Sequence, residues 1–207
     1  MSSKAAKAGW LKTLHTWHWI SSAICLIGML LFALTGITLN HASWIEVNPR
    51  VVQKKVQLTP ELLATLKPAA NEKDHHAPLP AATRDWLAHA LETSVSGDAA
   101  EWSLEEIYLP MPRPGGDAWV RVDRESGGVE YENTDRGWIA YFNDLHKGRN
   151  AGLVWTAFLD IFAVACLLFS ITGLLILKFH AANRAMTWPL VGLGFLLPAL
   201  LALLLIH

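Results

Sequence analysis

The sequence predicts a membrane α-helical protein with three transmembrane helices and a small α+β domain inserted between the first two. Three observations carry that expectation. Apolar residues make up 52% of the 207-residue chain and gather in three runs, at 19–39, 153–177 and 190–206. The first two match the roughly 20 residues that a helix needs to cross the hydrocarbon, and the third sits at the short end of that range. Between the first two runs lies a long stretch of ordinary mixed composition, residues 41–150. A phrase is also repeated: Leu30-Leu31-Phe32-Ala33-Leu34-Thr35-Gly36-Ile37 closes the first run and Leu167-Leu168-Phe169-Ser170-Ile171-Thr172-Gly173-Leu174 closes the second. Two such helices joined by a long loop run in opposite directions, so each Thr-Gly pair belongs to a different membrane face. A formal net charge of −1 argues against nucleic acid as a partner.

Residues 1–18 read as a cytoplasmic amino terminus, frayed over 1–9, followed by an interfacial helix. Within it, Trp10, Lys12, Trp17 and Trp19 have the aromatic and basic character of a headgroup belt. Lys4, Lys7 and Lys12 favour the cytoplasm for this end, and Lys178 and Arg184 favour the same side for the short loop at 179–188. Arg50, Lys147 and Arg149 lie on the opposite side, in a segment long enough to be translocated regardless of charge. The first run, helix 19–40, is too long for a signal-peptide core and has no small-x-small cleavage site after it, so it reads as an uncleaved anchor. The second helix is expected at 151–178 and the third at 189–207, with His207 on the outer side. Cys25 and Cys166 both fall within spans and are expected at different depths, as small packing residues without a disulfide.

The inserted segment begins as a polar loop. Thr59-Pro60-Glu61 before Leu62-Leu63 marks a helix start, with Thr59 as cap and Pro60 in the first turn. Residues 67–80, with three prolines and Asp74-His75-His76, read as a loop. Apolar residues at helical spacing (Trp86, Leu87, Ala90, Leu91) predict a helix over 81–95. Strands follow at 105–109, at 118–123 with its in-out alternation, and at 129–131 after the Gly127-Gly128 turn. Asp160 is the one ionisable residue of the second span, where a carboxyl is a candidate for a structural hydrogen bond or a role in proton or cofactor handling.

Histidines bracket both repeated phrases. His15 and His18 precede the first helix, His41 follows it, His146 precedes the second helix and His180 follows that. With antiparallel helices, the histidine leaving one meets a histidine entering the other: His41 with His146 at the outer face, and His180 with His15 or His18 at the inner face. His15 and His18 share one helix face, and both stay candidates. From His18 to His41 is about 35 Å if the chain is helical throughout. Paired neutral imidazoles suit a six-coordinate haem iron, and glycines beside them admit a flat macrocycle. Lys147 and Arg149 could neutralise haem propionates. No Cys-x-x-Cys-His occurs, which excludes covalent attachment and leaves haem b, two per chain. Zinc normally takes three or four protein ligands; each face offers two or three histidines and no carboxylate cluster, so haem, which needs two, fits better. His75-His76 has the composition of a solvated loop pair.

The segments Leu14-His15-Thr16-Trp17-His18-Trp19 and Asp144-Leu145-His146-Lys147-Gly148-Arg149, with the two Thr-Gly helix ends, resemble the PepSY-associated transmembrane helix family. The strand and turn Val122-Asp123-Arg124-Glu125-Ser126-Gly127-Gly128-Val129 is similar to the D-x-x-x-G-x-V hairpin of PepSY domains. The resemblance covers most of the chain, which looks like a compact three-span version of larger relatives. It implies a bacterial inner-membrane protein with a periplasmic PepSY-like domain at 41–150, carrying haem b between histidine pairs and reducing ferric iron in siderophore chelates. The ligands it implies are His41 with His146, and His180 with His15 or His18. The electron donor stays unnamed. Two other classes fit the same residues: a non-redox PepSY-type binding or regulatory module, and a haem or metal carrier.

Overall fold

The computed structural model describes residues 2–45, 48–69, 73–97 and 99–206; His207 lies outside them. Among the described residues three helices are long and apolar enough to cross a membrane: α1 (Ser2–Asn40), α5 (Gly152–His180) and α6 (Thr187–Leu205). The amino-terminal segment is not frayed, because α1 is helical from Ser2. Its opening Ser-Ser-Lys-Ala-Ala-Lys-Ala is rich in strong helix formers, which carry the helix back well before the apolar run begins.

The chain divides into two compact units, Met1–Leu31 with Phe158–His207, and Phe32–Ala157. In the first unit α1 runs antiparallel to α5. A Cβ placed on Gly28 would stand 2.3 Å from Phe162 Cε2 and clash with its ring, so the missing side chain lets that ring lie directly on α1. Replacing Gly28 with leucine should therefore destabilise the helix pair by about 1–3 kcal/mol, the usual range for overpacking. Thermal melts in detergent would measure this. Adding Phe162→Ala should restore part of the loss, and no recovery would mean that the two side chains are not in competition.

The second unit holds a six-stranded antiparallel sheet built from β1 (Arg50–Gln57), β2 (His75–Ala77), β3 (Ala100–Trp102), β4 (Glu106–Pro110), β5 (Gly116–Asp123) and β6 (Gly128–Asp135). The strand order is β1-β6-β5-β4-β3-β2. Two short helices, α2 (Pro60–Leu66) and α3 (Ala81–Ala90), supply Leu66 and Leu87 to the core with Ile107, Leu109, Val120, Val122 and Val129 from the strands. The burial of β5 alternates along its length, as the period of a half-buried strand requires. The expected strands at 105–109, 118–123 and 129–131 correspond to β4, β5 and β6. The structure adds β1, β2 and β3, and it places His75-His76 in β2 rather than in a loop. The helix expected over 81–95 ends at Ala90. A further helix, α4 (Gly137–Lys147), precedes α5 and ends at Gly148, which takes the left-handed conformation (φ 67°).

The β5–β6 turn shows why its residues recur together. Asp123 Oδ1 accepts from the backbone N–H groups of Ser126 (2.6 Å) and Glu125 (3.1 Å) and from the Ser126 hydroxyl (2.8 Å). Gly127 adopts φ +75°, where a side chain is disfavoured, and returns its N–H to the Asp123 carbonyl. The Ser126 backbone N–H, then its hydroxyl, hold the Asp123 carboxyl below the usual range. A depressed carboxyl stabilises the fold above its unfolded pKa, and that stability is lost as pH falls through the folded pKa. The melting temperature of the full chain should accordingly drop on acidification below about pH 4. Asp123→Asn keeps an acceptor oxygen but does not titrate, so its profile should be flatter; superimposable profiles would remove Asp123 from the account.

Candidate functional site

In the first unit His18 reaches across from α1 to α5. Its Nδ1 lies 3.1 Å from the Phe169 carbonyl and 3.1 Å from Thr172 Oγ1. A carbonyl only accepts, so Nδ1 carries the hydrogen and Nε2 the lone pair. Thr172 Oγ1 itself donates to the Leu168 carbonyl (2.6 Å), which leaves its oxygen free to accept from His18. The ring stacks on Phe169, with centroids 4.6 Å apart and planes 15° off parallel. Gly173 leaves room for it: a Cβ there would lie 3.2 Å from His18 Cε1.

The second unit repeats this seat with different elements. His146, on α4, has its Nδ1 2.6 Å from Thr35 Oγ1 on α1. Thr35 Oγ1 also lies 3.2 Å from the Phe32 carbonyl. Phe32 lies against the ring at 4.8 Å, and a Cβ on Gly36 would stand 3.7 Å from Cε1. Each Phe-x-x-Thr-Gly phrase thus receives one histidine, His18 on Phe169-Thr172-Gly173 and His146 on Phe32-Thr35-Gly36. The repeated phrase was visible in the sequence. Its threonine as the partner of an imidazole was not anticipated, and the phenylalanine three residues earlier was the available signal.

Of the expected histidine pairs, the structure brings one into ring contact. His15 and His180 face each other with centroids 5.9 Å apart and planes at 87°. Both are exposed on the helix surface. His15 Nδ1 donates to the Leu11 carbonyl (2.8 Å) and His180 Nδ1 to the Ile176 carbonyl (2.9 Å). His41 instead packs on Trp44 (4.6 Å) and donates from Nδ1 to the Ile37 carbonyl (3.0 Å); no ring contact joins it to His146 among the described residues. All five histidines have Nδ1 engaged, four of them by a backbone carbonyl that fixes the hydrogen on Nδ1, and none has a hydrogen bond to Nε2 among the described residues.

The remaining candidates are placed plainly. Among the described residues no three or more His, Cys, Asp or Glu side chains gather as a metal-ion site. His75 stacks on Trp102 at 5.7 Å, and His76 Nε2 stands 3.9 Å from Glu101. Asp160 is exposed on α5 and makes no hydrogen bond among the described residues, so a bond to a neighbouring helix's hydroxyl is not found. The two cysteines are not at different depths: the Cys25 and Cys166 side chains are close enough to interact, both as free thiols. The depth assignment failed because α1 begins well before residue 19, which moves Cys25 to the middle of its helix.

The PepSY_TM-like family matches this chain over residues 9–207. The chain belongs to that family. The match takes in the Thr-Gly phrases, all five histidines and the antiparallel sheet, so this is a PepSY_TM-like multi-pass membrane protein with an α+β PepSY-like domain between its first two spans. No curated protein and no solved structure matches it.

Proposed function

We propose that this protein is a di-haem b electron-transfer protein of the bacterial cytoplasmic membrane, with its amino terminus in the cytoplasm and its sheet domain in the periplasm. The terminal acceptor would be ferric iron in a siderophore-type chelate, which takes one electron to become ferrous and is then held less tightly. The donor is unidentified.

The observation that carries this reading is the facing pair His15 and His180, whose Nδ1 atoms are both tied to their own helices. Two imidazoles on opposite faces of one iron, each about 2 Å from it as metal–imidazole bonds are, would have ring centres about 6 Å apart. The observed 5.9 Å fits that requirement. Metal-bound histidines usually donate their second N–H to a carbonyl or similar group, which fixes the ring and raises its basicity. His15, His18, His41 and His180 meet this condition through a backbone carbonyl, and His146 has the Thr35 hydroxyl in that place. His146 and His41 would hold the second group, with Thr35 fixing His146; their rings are not in contact, so this pair rests on the Nδ1 bonds alone. When bound, haem b supplies one-electron transfer. The chain's own residues would hold and orient it, and holding it by a histidine pair would exclude oxygen as a ligand.

Detergent-purified protein from haem-replete cells tests the reading. Sharp reduced α and β bands with about two haems per chain by pyridine haemochrome are expected. A colourless protein overturns it and favours a non-redox binding module. That second reading has its own observation, an open sheet face bearing Tyr108, Trp119, Arg121 and Glu130. Arg121 there pairs with both Glu130 and Glu106, and the Tyr108 hydroxyl is pushed up by burial and then by nearby Asp117, Glu101 and Glu132.

A further inference from the structure

The helix α4 presents a stripe of aromatic side chains that is largely exposed among the described residues. Trp138, Tyr141 and Phe142 stand at i, i+3 and i+4, which puts them on one helix face. They are 71%, 44% and 47% exposed. Their rings contact one another, Trp138 with Phe142 at 6.2 Å and Tyr141 with Phe142 at 5.6 Å. None of them belongs to the domain's hydrophobic core.

Other residues of α4 fix where this stripe lies. Asn143 Oδ1 accepts from Thr38 Oγ1 at 2.6 Å, and His146 bonds Thr35. Thr35 and Thr38 are inside the apolar run of α1 that ends at Leu39. At 1.5 Å per residue, Thr35 is about 6 Å short of that end. The Leu145 carbonyl accepts from Trp155 Nε1 (2.9 Å), in the first turn of α5. So α4 is tied to the ends of two membrane spans at the level where the hydrocarbon gives way to headgroups. Leu153 and Val154, 88% and 87% exposed, and Trp44, 79% exposed, flank the same ends. Trp and Tyr are the residues that favour this layer, with an apolar ring and one polar group.

We propose that α4 is an interfacial helix whose Trp138-Tyr141-Phe142 stripe is seated among the lipid headgroups of the leaflet on the sheet-domain side. The surface beside the stripe grips α1 through Asn143 and His146. Asp144, 7% exposed, accepts from the Gly115 N–H at 2.9 Å and grips the sheet. Lipid is the occupant because the protein partners of α4 place the stripe at membrane level.

The test uses the full chain in phosphatidylcholine vesicles. Spin labels are attached to Trp138→Cys and Phe142→Cys in a C25A/C166A background, with Lys55→Cys, whose side chain is 75% exposed on β1, as reference. Collision with oxygen should exceed collision with a water-soluble nickel chelate at 138 and 142, and the order should reverse at 55. Nickel dominating at all three overturns the proposal. Shielding from both reagents with dipolar broadening between labels also overturns it, in favour of a second copy. Hydroxyl-radical footprinting of the unmodified chain needs no variant. Trp138 is more exposed than the half-buried Trp119, yet it should oxidise more slowly in vesicles; faster oxidation overturns the proposal.

Discussion

On the proposed di-haem reading, replacing His15 with alanine is expected to lower the haem content from about two per chain to about one, while replacing His18 leaves the count unchanged. Both histidines lie on one face of α1, and spacing alone does not separate them. The side-chain contacts do. His15 stands against His180, whereas His18 is committed through Nδ1 to Thr172 and the Phe169 carbonyl and is stacked on Phe169. His180→Ala should match His15→Ala, because a ligand pair fails when either member is removed. His18→Ala removes a ring that packs between α1 and α5, so it should lower the melting temperature and shift the midpoint potential without loss of haem. The readouts are pyridine haemochrome per chain and a redox titration. The reverse outcome, haem lost with His18 and kept without His15, would make the two Phe-x-x-Thr-Gly seats the true equivalents and pair His18 with His180.

What could be read from the residues, and what could not, divides along physical lines. The spans are dictated by local hydropathy, and β5 by an in-out alternation that any window reveals. β1 is different. Its sequence Arg-Val-Val-Gln-Lys-Lys-Val-Gln has no clean period because it is an edge strand, exposed along most of its length and held by backbone pairing to β6. Charged side chains such as Lys54 and Lys55 suit such an edge. They also make it look like loop. α4 was hidden for a related reason. Its polar residues Asn143 and Asp144 are buried against partners 105 and 29 residues away in the chain, and its aromatic residues Trp138, Tyr141 and Phe142 are exposed. A helix that inverts the usual pattern is legible only when its surroundings are known.

The site divides in the same way. The histidines, the Thr-Gly phrases and the antiparallel helices were all visible as residue types and repeats. The register between α1 and α5 was not, because it depends on where α1 begins. Taking the helix to start at residue 19 separated Cys25 from Cys166, although their side chains are close enough to interact. It also left the inner ligand undecided.

Replacing Gly115 with valine is expected to lower the melting temperature of the full chain by on the order of 10 °C. Three constraints meet at this residue. Its φ of +70° disfavours any side chain, at about 1–2 kcal/mol. A Cβ there would stand 2.6 Å from Tyr141 Cα and 2.7 Å from Tyr141 N. Those are backbone atoms of α4, so no rotamer change relieves the clash and the helix itself must move. Movement would then break the bond from the Gly115 N–H to buried Asp144, and an unpaired buried group costs about 1–3 kcal/mol. These contributions overlap, since one displacement of α4 causes the last two. Asp144→Asn retains an acceptor oxygen and the shape, so it should have a clearly smaller effect. Limited proteolysis locates the damage: cleavage between 136 and 150 should appear in the valine variant before the sheet core opens. A shift under about 2 °C would mean that α4 is not held by the hairpin. In that case His146 would owe its position to the bonds of α4 to Thr35, Thr38 and Trp155, and the coupling between the sheet domain and the Thr35 seat would have to run through the chain connection rather than through this contact.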